Sequence, residues 1–206
     1  MAKGDGENLC LCCCLTFFIL AVVLFVTLAC AYTDFDPVEV TVEEASLERL
    51  ALAGSNGTTP AFVAYNLSLA VAVRNPNWAI RVWRTAPLDA ELRLGGRPFG
   101  LVRLAGAEER ELIRPARSAV YRVVAAAERA PVALGSEEEA DLARESSAGL
   151  FRLEIVVAGQ VHYQAHPRRR SFTVRCPLRL PLSTAPAAVA FAQFEHTLPP
   201  QACVYV

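Results

Sequence analysis

Lysine is all but missing from this chain of 206 residues: Lys3 is the only one, and every other basic residue is Arg. Histidine occurs three times, tryptophan twice and methionine once. Use of Arg for Lys alongside abundant Ala, Gly and Pro fits coding bias. The 20 basic and 21 acidic residues leave a formal net charge of -1, so there is no general basic field of the kind that binds nucleic acid. No G-x-S-x-G, no H-E-x-x-H and no phosphate-cradling glycine loop is present. The short motifs of acyl transfer, zinc hydrolysis and nucleotide binding are therefore absent, and neither an enzyme nor a cofactor is expected. His162 and His166 have the four-residue spacing that pairs metal ligands on a helix, but their context is a strand running into a Pro-bounded turn, so no metal site is expected there. No repeat of fixed period appears.

What the chain does have is a long stretch without charge. Residues 9–32, LCLCCCLTFFILAVVLFVTLACAY, contain no ionisable acid or base other than cysteine and tyrosine. A helix of this length reaches about 36 Å, more than the ~30 Å hydrocarbon core of a bilayer. Between positions 15 and 28 stand eleven Leu, Ile, Phe or Val, worth roughly 3 to 7 kcal/mol on the insertion scale. This predicts a transmembrane signal anchor. Residues 1–8 are then a short tail, residues 33–184 a globular domain and residues 185–206 a C-terminal tail. After the span come Asp34, Asp36, Glu39, Glu43 and Glu44 before Arg49, the first basic residue. A flank without Lys or Arg is the one that crosses, which predicts a cytosolic N-terminus and an extracellular domain. Ala29-Cys30-Ala31 also has the form signal peptidase accepts, but the apolar run is long and its leading segment carries no net positive charge, so an uncleaved anchor is the preferred reading.

The seven cysteines divide by compartment. Cys10, Cys12, Cys13 and Cys14 cluster at one end of the span, where thiols suit reversible palmitoylation and suit equally the role of small apolar helix residues. Cys30 lies at the other boundary. Cys176 and Cys203 are an even pair in an oxidising compartment, candidates for a disulfide, although the alternation of Cys176 with Val174 and Leu178 would also carry it into the core and out of reach. Two sequons follow from export, Asn56-Gly-Thr in a loop and Asn66-Leu-Ser on the outward side of a strand.

Period-two alternation dominates the rest and predicts strands. Val38, Val40 and Val42 alternate with Glu39, Thr41 and Glu43, and residues 63–74 form the longest such run, expected to be a central strand. Asn75, Pro76 and Asn77 stop it. An extended pattern resumes over 79–84, and residues 88–94 lead into Gly95-Gly96, a two-residue hairpin turn, with a return strand over 99–104. Residues 120–126, 151–157 and 172–182 complete the set. Pro177 and Pro181 on one face mark the last as an edge strand. Residues 137–144, EEEADLAR, predict a short surface helix capped by Ser136. Some seven strands, one lone helix and no βαβ rhythm argue for an antiparallel β-sandwich.

The stretches NLSLAVAVRNPNWAIRVW, GLFRLEIVVAGQVHY and SFTVRCPLRLPL resemble the plant late embryogenesis abundant group 2 (WHy-type) proteins. Within these they are most similar to the harpin-induced and non-race-specific disease resistance branch, and the Asn75-Pro76-Asn77 turn is the best local mark. The resemblance spans residues 33–184; Trp83 stands where the family often has Tyr or Phe, and the tail before the anchor is short. It implies a fibronectin/immunoglobulin-like sandwich on a single-pass type II anchor at the plasma membrane, acting without catalysis in plant defence or in adhesion and signalling at the cell surface. The alternative it leaves is a desiccation-protective protein. Arg168, Arg169 and Arg170 form the one dense basic run. It reads as a solvated hairpin tip or as a contact for acidic wall polysaccharide or lipid head groups, which Arg forks bind bidentately. The expected partners are the bilayer, wall polysaccharide or other surface proteins, and no nucleic acid.

Overall fold

A computed structural model describes residues 4–33, 35–53, 61–108, 110–164, 166–183 and 201–206. The uncharged stretch is helical: α1 spans Gly4–Thr33, extending the expected 9–32 at its N-terminal end. Its window Cys13–Cys30 is long and apolar enough to cross a membrane, and none of it is buried against the rest of the protein.

The remainder is two antiparallel sheets packed as a sandwich. In the first, β1 (Glu39–Ala53), β2 (Ala61–Arg74) and β7 (Ser118–Val132) lie in the order β1-β2-β7. β2 is central, as its uninterrupted alternation predicts. Val63, Tyr65, Leu67, Leu69, Val71 and Val73 line the core, and Ala64, Ser68, Ala70 and Ala72 on its other face are buried as well.

The second sheet is built on β8 (Leu150–Tyr163), paired along one edge with β9 (Arg169–Pro181). Its other edge is shared by two strands laid end to end, β4 (Leu88–Leu94) against residues 153–158 and β3 (Val82–Arg84) against 161–163. Outside them, β5 (Arg97–Ala105) pairs β4 and β6 (Glu111–Ile113) pairs β3. The β4–β5 turn is the expected one: Gly95 and Gly96 both have positive φ, 56° and 76°, as a two-residue hairpin turn requires. Gly159 is needed for a different reason, since a Cβ there would come within 2.8 Å of both Leu88 and Phe172.

Three expectations are corrected. Ser136 does not cap α2 (Ser136–Ala148): it is the first helical residue, Gly135 is the N-cap, and Glu138 reaches back to accept the Gly135 N–H at 2.8 Å. Three carboxylates in the first turn still face the positive end of the helix. Between the strands expected at 99–104 and 120–126, where no strand is expected, the chain forms β6. The segment expected to be a C-terminal tail outside the domain is in part built into it, because its last residues join both sheets. β10 (Gln201–Ala202) pairs β1, and β11 (Val204–Tyr205) pairs β9. Among the described residues β9 is thus an edge strand over most of its length, as Pro177 and Pro181 predicted: β11 pairs with it at Val174 and Arg175, and the Val206 N–H donates to the Thr173 carbonyl at 3.1 Å.

Candidate functional site at the helix-proximal end

The chain passes from α1 to β1 through a few residues, and the structure ties those residues down with side chains from distant parts of the sequence. The N–H of Asp36 donates to Asn77 Oδ1 at 2.9 Å, and Asn77 Nδ2 donates back to the Asp36 carbonyl at 3.0 Å. Two residues on, the Val38 N–H donates to Tyr163 Oη at 3.0 Å, while the Tyr205 hydroxyl donates to the Val38 carbonyl. Phe35 stacks against Tyr163 and edges His166, with ring centroids 4.5 and 4.7 Å apart.

Asn77 is positioned by Asn75, which is wholly buried. Asn75 Nδ2 donates to the carbonyls of Ile80 and Ile113 at 2.7 and 3.2 Å, and its Oδ1 accepts from the Asn77 N–H and Asn77 Nδ2 at 3.2 and 2.9 Å. Every hydrogen-bonding group of the Asn75 amide is used, as a buried amide requires. The Asn-Pro-Asn turn is therefore more than a strand terminator. It fastens the turn at 113–117 to the segment leaving α1, helped by backbone bonds from Asn75 N to Arg117 O and from Ala116 N to Asn77 O.

Around this junction the surface is basic. Arg114 and Arg117 stand on the 113–117 turn, Arg81 follows the Asn-Pro-Asn turn with its carbonyl taken by Gln164 N, and Arg168, Arg169 and Arg170 come from the β8–β9 turn. All six are exposed, and none forms an ion pair with a described residue. The Arg170 guanidinium lies 4.7 Å over the Phe35 ring. Of the acidic residues nearby, Glu39 is taken by Arg74 at 2.9 Å, and the Asp36 carboxylate lies close enough to Tyr163 to act on its hydroxyl. Trp78, at the tip of the turn, is 72% exposed. Burial raises the pKa of Tyr163, and burial together with the Tyr163 and Glu39 charges pushes Tyr205 up to about 12, so both phenols remain neutral partners of Val38.

A cleft of about 500 Å³ opens beside the Arg run, on the outer face of the second sheet, between Trp83, His162, Arg110 and Arg169. Trp83 and His162 face each other across β3 and β8 with centroids 6.0 Å apart. His162 and His166 thus have separate aromatic neighbours. Among the described residues there is no group of three or more His, Cys, Asp or Glu able to hold a metal.

The other residues singled out in the sequence lie elsewhere. Cys176, fully buried in β9, is joined to Cys203 by a disulfide. Its inward orientation does not put it out of reach, because Cys203 enters the seam between the sheets with its N–H on the Val40 carbonyl at 3.1 Å. Cys13, Cys14 and Cys30 are free and exposed on α1; the side chains of Cys10 and Cys12, and Asn56, lie outside the described residues. Asn66 is half-buried in central β2, with Nδ2 donating to Glu48 at 2.6 Å. It therefore presents less of itself than an outward strand position suggests. Trp78, Arg81, Arg114, Arg117 and the two tyrosines had drawn no notice in the sequence. Each is unremarkable locally, and only the convergence of separate turns groups them.

No protein-family model matches the chain, and no curated protein matches it. A crystal structure of a protein from Archaeoglobus fulgidus is similar over 65% of this chain and 96% of its own, at 11% identity and a TM-score of 0.28. That similarity is too low to carry an argument.

Proposed function

We propose that this protein is a membrane-anchored, non-enzymatic surface module of the plant late embryogenesis abundant group 2 type, with a fibronectin/immunoglobulin-like domain outside the plasma membrane that acts in defence or in adhesion and signalling. The observation that carries this reading is the junction. Four side-chain hydrogen bonds hold the backbone of Asp36 and Val38, directly after the apolar helix, onto the sandwich. A domain that merely followed a leader or a flexible tether would have no use for such fixing. Anchoring then belongs to the mechanism, because it raises the effective concentration of the domain near surface partners without adding a contact. The Asn-Pro-Asn turn on which the family resemblance rests is the part that makes the junction, and this supports the assignment.

The test is to remove residues 1–31 and supply a cleavable signal. The released domain should fold, reach the same compartment and fail to support the surface response in plants lacking the protein and its close relatives. Full activity from the released domain, or an undiminished response in those plants, refutes the reading and favours desiccation protection. Topology is checked in the same material: endoglycosidase should increase gel mobility, and Asn56→Gln should remove part of the shift.

A further inference from the structure

We infer that the cleft on the outer face of the second sheet binds a saccharide chain bearing carboxylates, an oligouronide, laid across the strands. The inference rests on the reading above that the domain lies outside the membrane, where such saccharides are met, and it adds their binding site.

Strand register builds the cleft. Leu112 in β6, Trp83 in β3, His162 in β8 and Arg169 in β9 are successive partners in one row across four strands. At about 4.8 Å between strands the row is ~14 Å long. Their neighbours Val82, Val161, Tyr163 and Ile113 are buried in the core, so by the period of two the row faces outward. The same pairing carried two residues on sets Arg110 opposite Thr85, whose N–H continues the ladder on the Gln160 carbonyl at 3.0 Å. On the other side of the row the Gln164 N–H donates to the Arg81 carbonyl at 3.0 Å. The result is a trough of about 500 Å³, a volume inside the range of roughly 300 to 1,000 Å³ found for ligand clefts. Of the run Arg168 to Arg170 only Arg169 lines it, because Arg170 has the opposite parity and lies over Phe35.

The lining combines an aromatic platform with neutral hydrogen-bonding groups and two cations. Trp83 is half-buried and packs beside His162, and an indole of this kind offers an apolar face to the C–H side of a pyranose ring. Among the described residues no hydrogen bond uses the His162 ring or the Gln164 amide. Both are therefore available to sugar hydroxyls, which donate and accept as they do. Arg110 and Arg169 stand at opposite rims, and their forks suit bidentate pairing with carboxylates. None of the described residues lining the cleft is acidic. A cation at each rim with an aromatic floor between them suits a chain charged along its length better than one small anion. An extended peptide fits less well, because it holds a sheet edge through unpaired backbone groups, and on this face those groups are already paired between strands.

The experiment uses the full chain in phosphatidylcholine nanodiscs, in a Trp78→Phe background that leaves Trp83 as the only Trp. Tetragalacturonate should change the Trp83 emission saturably, and its fully methyl-esterified form, which keeps the rings and loses the charge, should bind at least 10-fold more weakly. Arg110→Gln and Arg169→Gln, on different strands and both exposed, should each weaken binding roughly 10-fold, the worth of hydrogen bonds to a charged group. Arg179→Gln removes the same charge from the far end of β9, about 33 Å from Arg169, and screening should keep its effect under about twofold. Equal binding of acid and ester, or equal losses in Arg169→Gln and Arg179→Gln, overturns the inference. So does inorganic phosphate or tetraglutamate that displaces the saccharide at equal concentration, which would make the cleft a bare anion site or an acidic-peptide site. Protease added outside intact cells tests the placement separately. A chain that binds tetragalacturonate but shields its domain from that protease keeps the site and refutes the reading of an outside domain, whereas an accessible domain that ignores the saccharide refutes only the site.

Discussion

Replacing Asn77 by Ala removes three side-chain hydrogen bonds at once: the reciprocal pair with the Asp36 backbone and the donation to Asn75 Oδ1. At about 1 kcal/mol net for each, the domain should lose roughly 3 kcal/mol, a large part of a typical 5 to 15. For a chain of this size that lowers the melting temperature by about 6 to 12 °C. The local effect is the sharper test. Two of the four bonds that hold the segment after α1 disappear, so the free energy of opening at Asp36 should fall by about 2 kcal/mol and its amide should exchange with solvent roughly 30-fold faster. Val38 is held by Tyr163 and Tyr205 and should change much less. Asn77→Asp should be worse than Asn77→Ala, since it keeps an acceptor for the Asp36 N–H but turns a second oxygen toward Asn75 Oδ1. Hydrogen exchange read residue by residue on the full chain in nanodiscs decides the matter. An Asp36 rate within about threefold of the original, or equal acceleration at Asp36 and Val38, refutes the view that Asn77 fastens the anchor to the sandwich.

Loss of the disulfide should also be measurable. With Cys176 and Cys203 separated by 27 residues, Cys203→Ser removes about 3.5 kcal/mol of loop-closure stabilisation, and urea titration under oxidising conditions should show the difference while reduced samples converge. Gly159→Ala must push Cβ into Leu88 and Phe172 and should cost about 1 to 3 kcal/mol by overpacking, read in the same titration; a neutral result would mean that β8 and β9 part easily there. The tyrosines predict alkaline instability. Burial raises the pKa of Tyr65, Tyr121, Tyr163 and Tyr205, the last to about 12, so the folded state holds their protons where the unfolded state releases them. Stability is complete below the ordinary tyrosine pKa of about 10 and falls as pH rises through the folded values. Their phenolate absorbance should appear together with unfolding, and smooth titration of these four tyrosines near pH ~10 with the fold intact would contradict the burial.

How much of this was legible beforehand depends on how far each contact reaches. The apolar helix, the Gly95-Gly96 turn and the central place of β2 follow from composition and period alone, because each is set by residues adjacent in the chain. β1 shows where that stops. Its alternation is readable to Glu43, yet the strand runs to Ala53 through irregularities between Val42 and Glu44 and between Leu47 and Arg49. Each β-bulge moves the inward side chains to the other parity, and a sequence read by period two loses the strand at the first. β7 does the same opposite Val63 and Tyr65. The tail was illegible for another reason: β10 and β11 are two residues each and exist only because β1 and β9 leave edges for them and Cys176 waits in the seam.

The candidate site divides along the same line. Sequence by itself determined the Arg168 to Arg170 run, the pair of cysteines and the Asn-Pro-Asn turn, since these are local patterns of unusual residues. Only the tertiary structure decided that Arg81, Arg114 and Arg117 join that run, that Asn77 and two tyrosines clasp the segment after the helix, and that all of this lies at the end of the sandwich nearest the apolar span. Hydrogen bonds between Asp36 and Asn77, or between Val38 and Tyr163, bridge 41 and 125 positions of sequence. Nothing in the neighbourhood of either partner encodes such a distance; it is set by the packing of two sheets whose register is decided by the whole core.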